Sequence, residues 1–372
     1  MIELPDAPRI LLVRLSAIGD AIHTLPLLCA LRDRFPRASI TWVVEDRAAA
    51  LLRNHAALDE LVELPRGWLK SPGRVWQLRR QLRGRFDLAI DAQGLTKSAV
   101  VAWLAGTRQR IGFGTPWGRE LSRWLNNQLV DTVRPHAVDR HLELLRPLGI
   151  ESPAVRFDVP ETEIDRTAAE EVVDSHLRRA PGVSPGIVET LSDTIPGLTP
   201  GARQEISAFA VIAPGAGWPS KVWPAERFAA VAAYLGNRRQ LPTLVISGNE
   251  QERTWAAQIA AGSGGHARPA PAMSLTGVAA LIRRARLFVG SDTGPLHLAA
   301  AVGTPCVALY GPWPAEKHGP YGPQHIAIQK LRFAGTTRQR RRASSIYMEA
   351  IDVESVCTAC DQILSGRRTE AA

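Results

Sequence analysis

Short apolar runs alternate with segments of helical periodicity along most of this chain, and this alternation constrains its fold more than any other feature. In the first half the sequence predicts strands at 9–15, 40–44, 86–90 and 110–113 and helices at 22–35 and 95–105. The pattern restarts in the second half, with strands at 209–213, 243–247, 286–290 and 306–310 and a helix at 225–235. Strands that alternate with helices predict parallel sheets covered by helices on both faces.

A weaker stretch separates the two halves. The pattern fades from about 151 to 205, where prolines and glycines are frequent, as in linkers and surface insertions. The sequence therefore predicts an α/β protein of two Rossmann-like, doubly wound domains that face a cleft, where ligands of such sheets bind. The predicted boundaries are 1–165 for the first domain, 166–207 for a linker and surface insertion, 208–350 for the second domain and 351–372 for a C-terminal helix and tail.

Composition narrows the class of protein and its partners. The 372 residues are 45% hydrophobic and 22% charged, as in a globular protein large enough for two cores. No apolar run has membrane-spanning length and the N-terminus lacks a signal-peptide pattern, so a cytoplasmic location is expected. A net charge of +9 favours a polyanionic partner. Nucleic acid is disfavoured, because the basic residues are scattered and no nucleic-acid-binding motif is present.

Three local patterns have an ordinary structural explanation. Residues 66–80 combine tryptophan with basic charge, which predicts either contact with an anionic lipid surface or a helix packed on the core. Cys357 and Cys360 form a C-x-x-C on the apolar face of a helix capped by Asp352, and we interpret them as core residues rather than a redox or zinc site. The arginine cluster at 338–342 is interpreted as a solvated loop.

The most informative motif is the stretch 289–300, VGSDTGPLHLAA. A predicted strand ends within it and a helix begins at Pro295, because proline is preorganised for the first helical position. The free N–H groups of Thr293, Gly294 and Leu296 then present the positive end of the helix dipole, which favours a diphosphate.

Two side chains of this motif have two explanations each. Asp292 either accepts hydrogen bonds from sugar hydroxyls or caps the helix. His297 lies one turn into the helix, where packing and ligand contact are equally expected.

A glycine-bearing loop at 212–224 opens from the first strand of the second half. Gly215 and Gly217 allow the backbone to approach a ligand closely, and Lys221 offers a compact positive charge to a leaving phosphate. The loop is not a P-loop, because glycine does not directly precede the lysine and Val222 replaces the serine or threonine.

The first turn, RLSAIGD at 14–20, contains a single glycine. A dinucleotide-binding turn needs three, so an NAD-dependent dehydrogenase is disfavoured. Asp20 lies at the predicted start of a helix, facing the cleft. It is either the general base for an acceptor hydroxyl or a carboxylate that favours the helix start.

Together these motifs resemble the bacterial heptosyltransferases that build the inner core of lipopolysaccharide. Residues 14–20, 214–224 and 291–297 match the family's N-terminal motif, its loop with a lysine before W-P, and its D-T-G-x-x-H motif. Residues 91–99, DAQGLTKSA, resemble the D-A-Q-G-L-x-K-S-A of the enzyme that adds the first heptose. The similarity spans 10–364, apart from the insertion between 181 and 204.

The resemblance implies a GT-B fold whose second domain binds ADP-heptose and whose first domain binds a Kdo-bearing lipid, Kdo-lipid A. It also implies that Asp20 is the general base and that Lys221 contacts the departing phosphate, so that both are catalytic. The residues expected to contact the donor are Gly215, Ala216, Gly217, Ser220, Lys221, Glu252 (or else Glu250), Met273, Asp292, Thr293, Gly294 and His297. Those expected to contact the acceptor are Arg14, Ser16, Gly19, Gln93 and Lys97. Some family members carry threonines where this chain has Ala216 and Gly217.

The implied reaction is an inverting transfer in one step, with no metal ion and no cofactor. The main alternative is a related GT-B transferase or epimerase that uses another nucleotide sugar, and the nucleotide diphosphate that binds distinguishes the two. The expected location is the cytoplasm, with peripheral contact to the cytoplasmic face of the inner membrane.

Overall fold

The computed structural model describes residues 1–177 and 208–366. Their first sheet contains the strands β1 (Arg9–Val13), β2 (Ser39–Glu45), β3 (Glu60–Leu64), β4 (Leu88–Asp91), β5 (Gln109–Phe113) and β6 (Gln128–Val130). Their second sheet contains β7 (Ala210–Ala213), β8 (Thr243–Val245), β9 (Ala267–Pro269), β10 (Leu287–Ser291), β11 (Cys306–Leu309) and β12 (Ile326–Ile328).

The two sheets share one topology. The first has the order β3-β2-β1-β4-β5-β6, and the second has the equivalent order β9-β8-β7-β10-β11-β12. Every neighbouring pair of strands is parallel. This is the strand order of dinucleotide-binding α/β proteins, so the predicted pair of Rossmann-like sheets is confirmed.

Helices connect the strands and cover the sheets. The first half contains α1 (Ile18–Arg34), α2 (Asp46–Leu52), α3 (Pro72–Leu82), α4 (Thr96–Leu104), α5 (Ser122–Leu125), α6 (Ala137–Glu143) and α7 (Glu163–Leu177). The second contains α8 (Ala225–Arg239), α9 (Glu250–Gly262), α10 (Leu275–Arg284), α11 (Gly294–Ala301), α12 (Ala315–His318), α13 (Thr337–Arg341), α14 (Ile346–Glu349) and α15 (Val353–Leu364). No helix in these ranges is long and apolar enough to cross a bilayer.

The central strands are buried on both faces, which explains their continuous apolar sequences. One face of the first sheet packs against Leu78 and Leu82 of α3 and Val101 of α4. The other face packs against α1, and the same core includes Ala279 of α10 and Leu298 of α11 from the second half. The two halves therefore share a buried contact, in which α1 lies against α11.

A glycine makes this contact possible. A Cβ atom on Gly19 would lie 2.4 Å from Cδ2 of His297, far inside van der Waals contact. Gly19 lies in the first turn of α1 next to Asp20, so its lack of a side chain lets the second half approach the predicted base.

The first part of the predicted linker, residues 166–177, is helical. They belong to α7, which packs against α10, and Asp165 at the start of α7 accepts a hydrogen bond from the N–H of Thr162 at 3.2 Å. The predicted insertion between 181 and 204 lies outside the described residues.

The C-terminal helix agrees with its prediction. The Asp352 side chain caps α15 by accepting a hydrogen bond from the N–H of Ser355 at 2.7 Å. Cys357 and Cys360 are both buried and unbridged, and burial raises the pKa of each thiol. The interpretation as core residues is confirmed. The arginine cluster at 338–342 is not a loop, because 337–341 form the short helix α13, capped by Thr336.

Candidate active site

Each sheet has a point where the strand order reverses, between β1 and β4 in the first sheet and between β7 and β10 in the second. At such a point the connections leave in opposite directions and open a crevice at the carboxyl ends of the strands. The four sequence motifs follow these four strands: 14–20 after β1, 91–99 from the end of β4, 214–224 after β7 and 291–297 from the end of β10. The topology therefore brings together motifs that are far apart in sequence.

A cavity of about 640 Å³ lies between the two halves at these points. The first half lines it with 15–19, Glu45, Ala48 and Arg66, and the second half with Ala213, 215–217, 246–249, Glu252, Met273, Leu275, Val278 and 293–295. Of the residues predicted to contact the donor, Gly215, Ala216, Gly217, Glu252, Met273, Thr293 and Gly294 line this cavity, as do Ser16 and Gly19 of the predicted acceptor set.

Lys221 and Asp292 lie outside this lining and form a buried ion pair. Lys221 Nζ is 2.5 Å from Asp292 Oδ2, and the two side chains are only 12% and 7% exposed. The ammonium also lies 4.3 Å from the ring centre of Trp313. Asp292 directly precedes Thr293, so the pair lies immediately behind the start of α11.

Asp292 is part of a chain of polar contacts that connects the two halves. His297 Nε2 is 3.3 Å from Asp292 Oδ1, and His297 Nδ1 is 3.2 Å from Nε2 of His23 in α1. Burial alone would raise the pKa of Asp292, but Lys221 and His297 outweigh burial and hold it far below its ordinary value. The carboxylate is therefore ionised. The alternative that Asp292 caps α11 is wrong, because Thr293 occupies the N-cap position.

Ser220, predicted to contact the donor phosphate, is buried in a 3₁₀ turn at Pro219–Lys221 and lies outside the cavity lining. Its Oγ has no hydrogen-bond partner among the described residues.

Asp20 makes the helix-start contact that was one of its two interpretations, and its carboxylate stays partly exposed. Its Oδ2 accepts a hydrogen bond from the N–H of Ala17 at 3.2 Å, a helix-start contact, and lies 2.8 Å from Nη2 of the buried Arg14. Burial would raise the pKa of Asp20, but Arg14, His318 and the Ala17 N–H outweigh it and hold the pKa below its ordinary value. The side chain is 39% exposed, next to the cavity-lining Gly19. It is an ionised, accessible carboxylate.

Gln93 and Lys97, which were predicted to contact the acceptor, do not line the cavity and instead hold the first turn in place. Gln93 Oε1 accepts a hydrogen bond from the N–H of Leu15 at 2.8 Å. Lys97 Nζ donates to Ser16 Oγ at 3.1 Å and pairs with Glu45 at 3.0 Å. Both side chains position residues that line the cavity.

Asp91, the first residue of the DAQGLTKSA motif and the last of β4, is fully buried. Its Oδ1 accepts hydrogen bonds from the N–H groups of Gln93 and Gly94 at 3.0 and 3.1 Å, and its Oδ2 accepts one from Asn126 at 3.1 Å. Burial raises its pKa. These contacts fix the turn that carries Gln93, and they leave Asp91 out of reach of an acceptor.

Of the two glutamates predicted for the donor, Glu252 lines the cavity and Glu250 does not. Its Oε2 accepts a hydrogen bond from the N–H of Gly248 at 2.6 Å, and its Oε1 accepts one from Asn249 Nδ2 at 2.8 Å. A Cβ atom on Gly215 would lie 2.4 Å from this carboxylate, so any side chain there would force Glu252 to move. Glu250 instead points to solvent and pairs with Arg253.

Sequence reasoning missed a group of side chains at the junction of the halves. His318 follows β11, and burial lowers its pKa to about 4 although Asp292 and Asp20 are near enough to raise it. Its ring stacks at 6.5 Å from that of His23, and Nε2 of His136 lies 3.0 Å from the carbonyl oxygen of Gly319. These histidines have no regular spacing in the sequence that would have revealed the group. Only His318 could have been noticed, because 311–319 follows the carboxyl end of a predicted strand.

Arg140 of α6 was also missed. It is buried against Trp117, with its guanidinium carbon 3.7 Å from the ring centre. Burial and the charge of Arg14 lower its pKa to about 10, partly offset by Asp20, so it stays charged at neutral pH. Two buried guanidinium groups therefore lie near the Asp20 carboxylate. Among the described residues no three His, Cys, Asp or Glu side chains are grouped as metal ligands.

Comparison with known proteins places this geometry in a family. A protein named lipopolysaccharide heptosyltransferase 1 from Pseudomonas aeruginosa is 31% identical over 333 residues, covering 86% of this chain and 83% of that protein. The protein of the same name from Escherichia coli K12 is 27% identical over 87% of this chain and 94% of its own length.

Solved structures share the fold. The glycosyl transferase family 9 protein from Veillonella parvula superimposes with a TM-score of 0.75 at 24% identity, over 97% of this chain and all of that one. The E. coli heptosyltransferase WaaC, solved with ADP, superimposes with a TM-score of 0.68 at 24% identity, over 96% and 98% of the two chains.

The family model described as glycosyltransferase family 9 (heptosyltransferase) matches residues 75–345, which include the second half's motifs and part of the first sheet. This protein is therefore a glycosyltransferase and belongs to glycosyltransferase family 9.

Proposed function

We propose that this enzyme transfers heptose from ADP-L-glycero-D-manno-heptose to the Kdo inner core of lipopolysaccharide, with inversion at the anomeric carbon. The cavity between the halves is the observation on which the proposal rests, because the turn before Asp20 and the loops of the second half line the same space. Relatives named lipopolysaccharide heptosyltransferase 1, similar over most of the chain, support this choice of sugar and acceptor.

On the donor side, the diphosphate lies against the backbone of 215–217 and the start of α11. The N–H groups there and the helix dipole favour negative charge, and Lys221 adds a positive charge directly behind Thr293. Met273 and Glu252 contact the adenosine end of the donor, because both line the part of the cavity in the second half.

On the acceptor side, Arg14 and Arg140 favour an anionic sugar such as Kdo. Both guanidinium groups are buried, and Asp20 pairs with only one of them. Ser16 and Gly19 line the adjoining wall of the cavity.

In the proposed reaction Asp20 takes the proton of an acceptor hydroxyl while the hydroxyl oxygen attacks the anomeric carbon of the heptose. The bond from that carbon to the diphosphate oxygen breaks on the opposite face, and ADP leaves with both bonding electrons. Lys221 and the N–H groups of Thr293 and Gly294 stabilise the charge on the leaving group. Because the donor is a nucleotide-activated sugar, we place the enzyme in the cytoplasm, at the inner face of the inner membrane.

The direct test is to incubate the protein with ADP-heptose and Kdo-lipid A and to measure product masses. The expected product is heavier than the acceptor by one heptosyl unit, and its anomeric configuration, measured by NMR, is opposite to that of the donor. An unchanged acceptor, or retention of configuration, would contradict the proposal.

Nucleotide preference separates this proposal from a related transferase or epimerase with another donor. ADP is expected to bind at least about tenfold more tightly than UDP or GDP, a difference of about 1.4 kcal/mol, because the contacts assigned to Met273 and Glu252 are made to adenosine. Isothermal titration calorimetry measures the three affinities. Tighter binding of UDP would assign the protein to the other class.

Turnover is expected to persist in a chelator. If Lys221 and the start of α11 neutralise the diphosphate, adding EDTA should leave the rate within about twofold of its original value, since no step then depends on a divalent cation. The same product assay measures this. A large loss of turnover in EDTA, reversed by added magnesium, would contradict the proposal that protein groups alone neutralise the diphosphate.

A further inference from the structure

Three tryptophans point outward from neighbouring helices of the first half. Trp76 of α3 is 63% exposed, Trp103 of α4 is 48% exposed and Trp124 of α5 is 83% exposed. Helix α3 packs against α4 and α4 packs against α5, so the three helices form one outer layer, which we call the tryptophan layer. Leu121, next to α5, adds a further exposed apolar side chain.

These tryptophans are not needed for the core. The same layer already buries Leu78, Leu82, Val101 and Ala102 against the sheet, while its three tryptophans stay largely exposed. Large aromatic side chains are usually mostly buried, and a cluster of exposed ones marks a surface that contacts something else.

The charge of the layer indicates the kind of partner. Residues 66–83 contain six basic residues and no acidic residue. None of these six side chains forms an ion pair with a carboxylate in the described part of the chain, so their charge is uncompensated. The Arg80 guanidinium lies 5.7 Å from the ring centre of Trp76. Tryptophan beside unpaired arginine is typical of a surface that lies at the boundary of an anionic bilayer.

The position of the layer agrees with this partner. Arg66, at the start of the basic segment, lines the cavity between the halves. The basic segment therefore runs from the cavity lining to α3 of the layer. Trp68 is buried in the core and cannot contact a lipid. Within 66–80, the lipid contact would therefore be made by Trp76 and the arginines of α3.

We infer that the tryptophan layer docks this protein on an anionic lipid bilayer, with Trp76, Trp103 and Trp124 at the level of the head groups and the arginines of α3 against their phosphates. The inference rests on the proposed function in one respect, namely that a lipid acceptor enters the cavity from the bilayer. The docking itself requires no sugar donor, and vesicles alone can test it.

Flotation with vesicles tests the docking. Vesicles of three parts phosphatidylethanolamine to one part phosphatidylglycerol should carry the protein at low salt, whereas phosphatidylcholine vesicles should not, and salt should weaken the binding. W76Q combined with W124Q should lower the partition coefficient at least about fivefold. R74Q combined with R80Q should lower it about 25-fold, about fivefold for each charge removed.

Matched control variants lie on the second half or away from the layer. Ile164→Gln removes another highly exposed apolar side chain, and Arg238→Gln removes another exposed, unpaired arginine. Both should bind vesicles as the unchanged protein does. Circular dichroism and ADP affinity confirm that the layer variants remain folded.

Three outcomes would overturn the inference: no flotation at low salt, equal losses in the controls, or a dimer in light scattering that the W76Q/W124Q variant dissociates. The last result would assign the layer to a second copy of the chain. Transfer to a short-chain, water-soluble acceptor should be unaffected by the layer variants. A protein that floats but transfers no heptose would keep the docking surface and refute the proposed function instead.

Discussion

Replacing Asp20 by asparagine is expected to lower turnover by about two to four orders of magnitude while ADP binds normally. The amide is nearly isosteric with the carboxylate but cannot take a proton. Asp20 is ionised in the folded protein, because Arg14, His318 and the Ala17 N–H together outweigh the effect of burial on its pKa. An ionised carboxylate can accept a proton from the acceptor hydroxyl at neutral pH. Product formation and calorimetry with ADP measure the two effects.

A matched variant separates catalysis from the helix start. Asp165 makes the same contact at the start of α7 that Asp20 makes at the start of α1, each accepting a backbone N–H from three residues earlier at 3.2 Å. Asp165→Asn should therefore reproduce any loss of helix capping and keep its turnover. Near-normal turnover by a folded Asp20→Asn variant would remove Asp20 from the mechanism, and Asp91 is too deeply buried to replace it.

Lys221→Ala is expected to remove about 2–4 kcal/mol of transition-state stabilisation, a loss of about 30- to 1000-fold in turnover. The structure adds a second expected effect. Asp292 would lose its closest cation and keep only two histidines, His297 and His318, near a charge that stays buried, so thermal stability should fall as well. Turnover and the midpoint of thermal unfolding are measured on the same sample.

A double variant tells the two effects apart. Adding Asp292→Asn to Lys221→Ala removes the uncompensated charge and should restore much of the lost stability, while turnover stays low. If turnover recovers together with stability, Lys221 serves only to hold Asp292. Lys330→Ala is the control, because Lys330 forms an exposed ion pair 3.5 Å from Asp352 and its loss should change neither quantity appreciably.

The strands that the sequence predicted are the central ones. The run predicted at 286–290 forms β10 at Leu287–Ser291, and the run predicted at 9–15 forms β1 at Arg9–Val13. Both strands are covered by helices on two sides, so nearly all of their residues are apolar and the signal is continuous. Of the outer strands, β3 has two glutamates among its five residues, which interrupt the apolar run. The strands β6, β9 and β12 have three residues each, which is too short for a pattern to be recognised.

The sequence by itself also determined which loops of each sheet lie next to each other. In a parallel sheet the loops that follow the strands emerge at the same edge. Two motifs that follow neighbouring strands of one sheet therefore lie close together when the strand order reverses between those strands. Accordingly, Gly215 and Thr293 from the two motifs of the second sheet line the same cavity, and the packing of the two halves adds Ser16 and Gly19 from the first sheet.

Only the tertiary structure decided which of these side chains face the cavity and which face one another. Lys221 and Asp292 are 71 residues apart and pair in the second half, while His23 and His297 are 274 residues apart and meet across the two halves. Local spacing describes how a side chain lies on its own helix or strand, and it contains no information about how two elements pack. The contact between α1 and α11, made possible by the missing side chain of Gly19, therefore set the partners of His297 and the surroundings of Asp20.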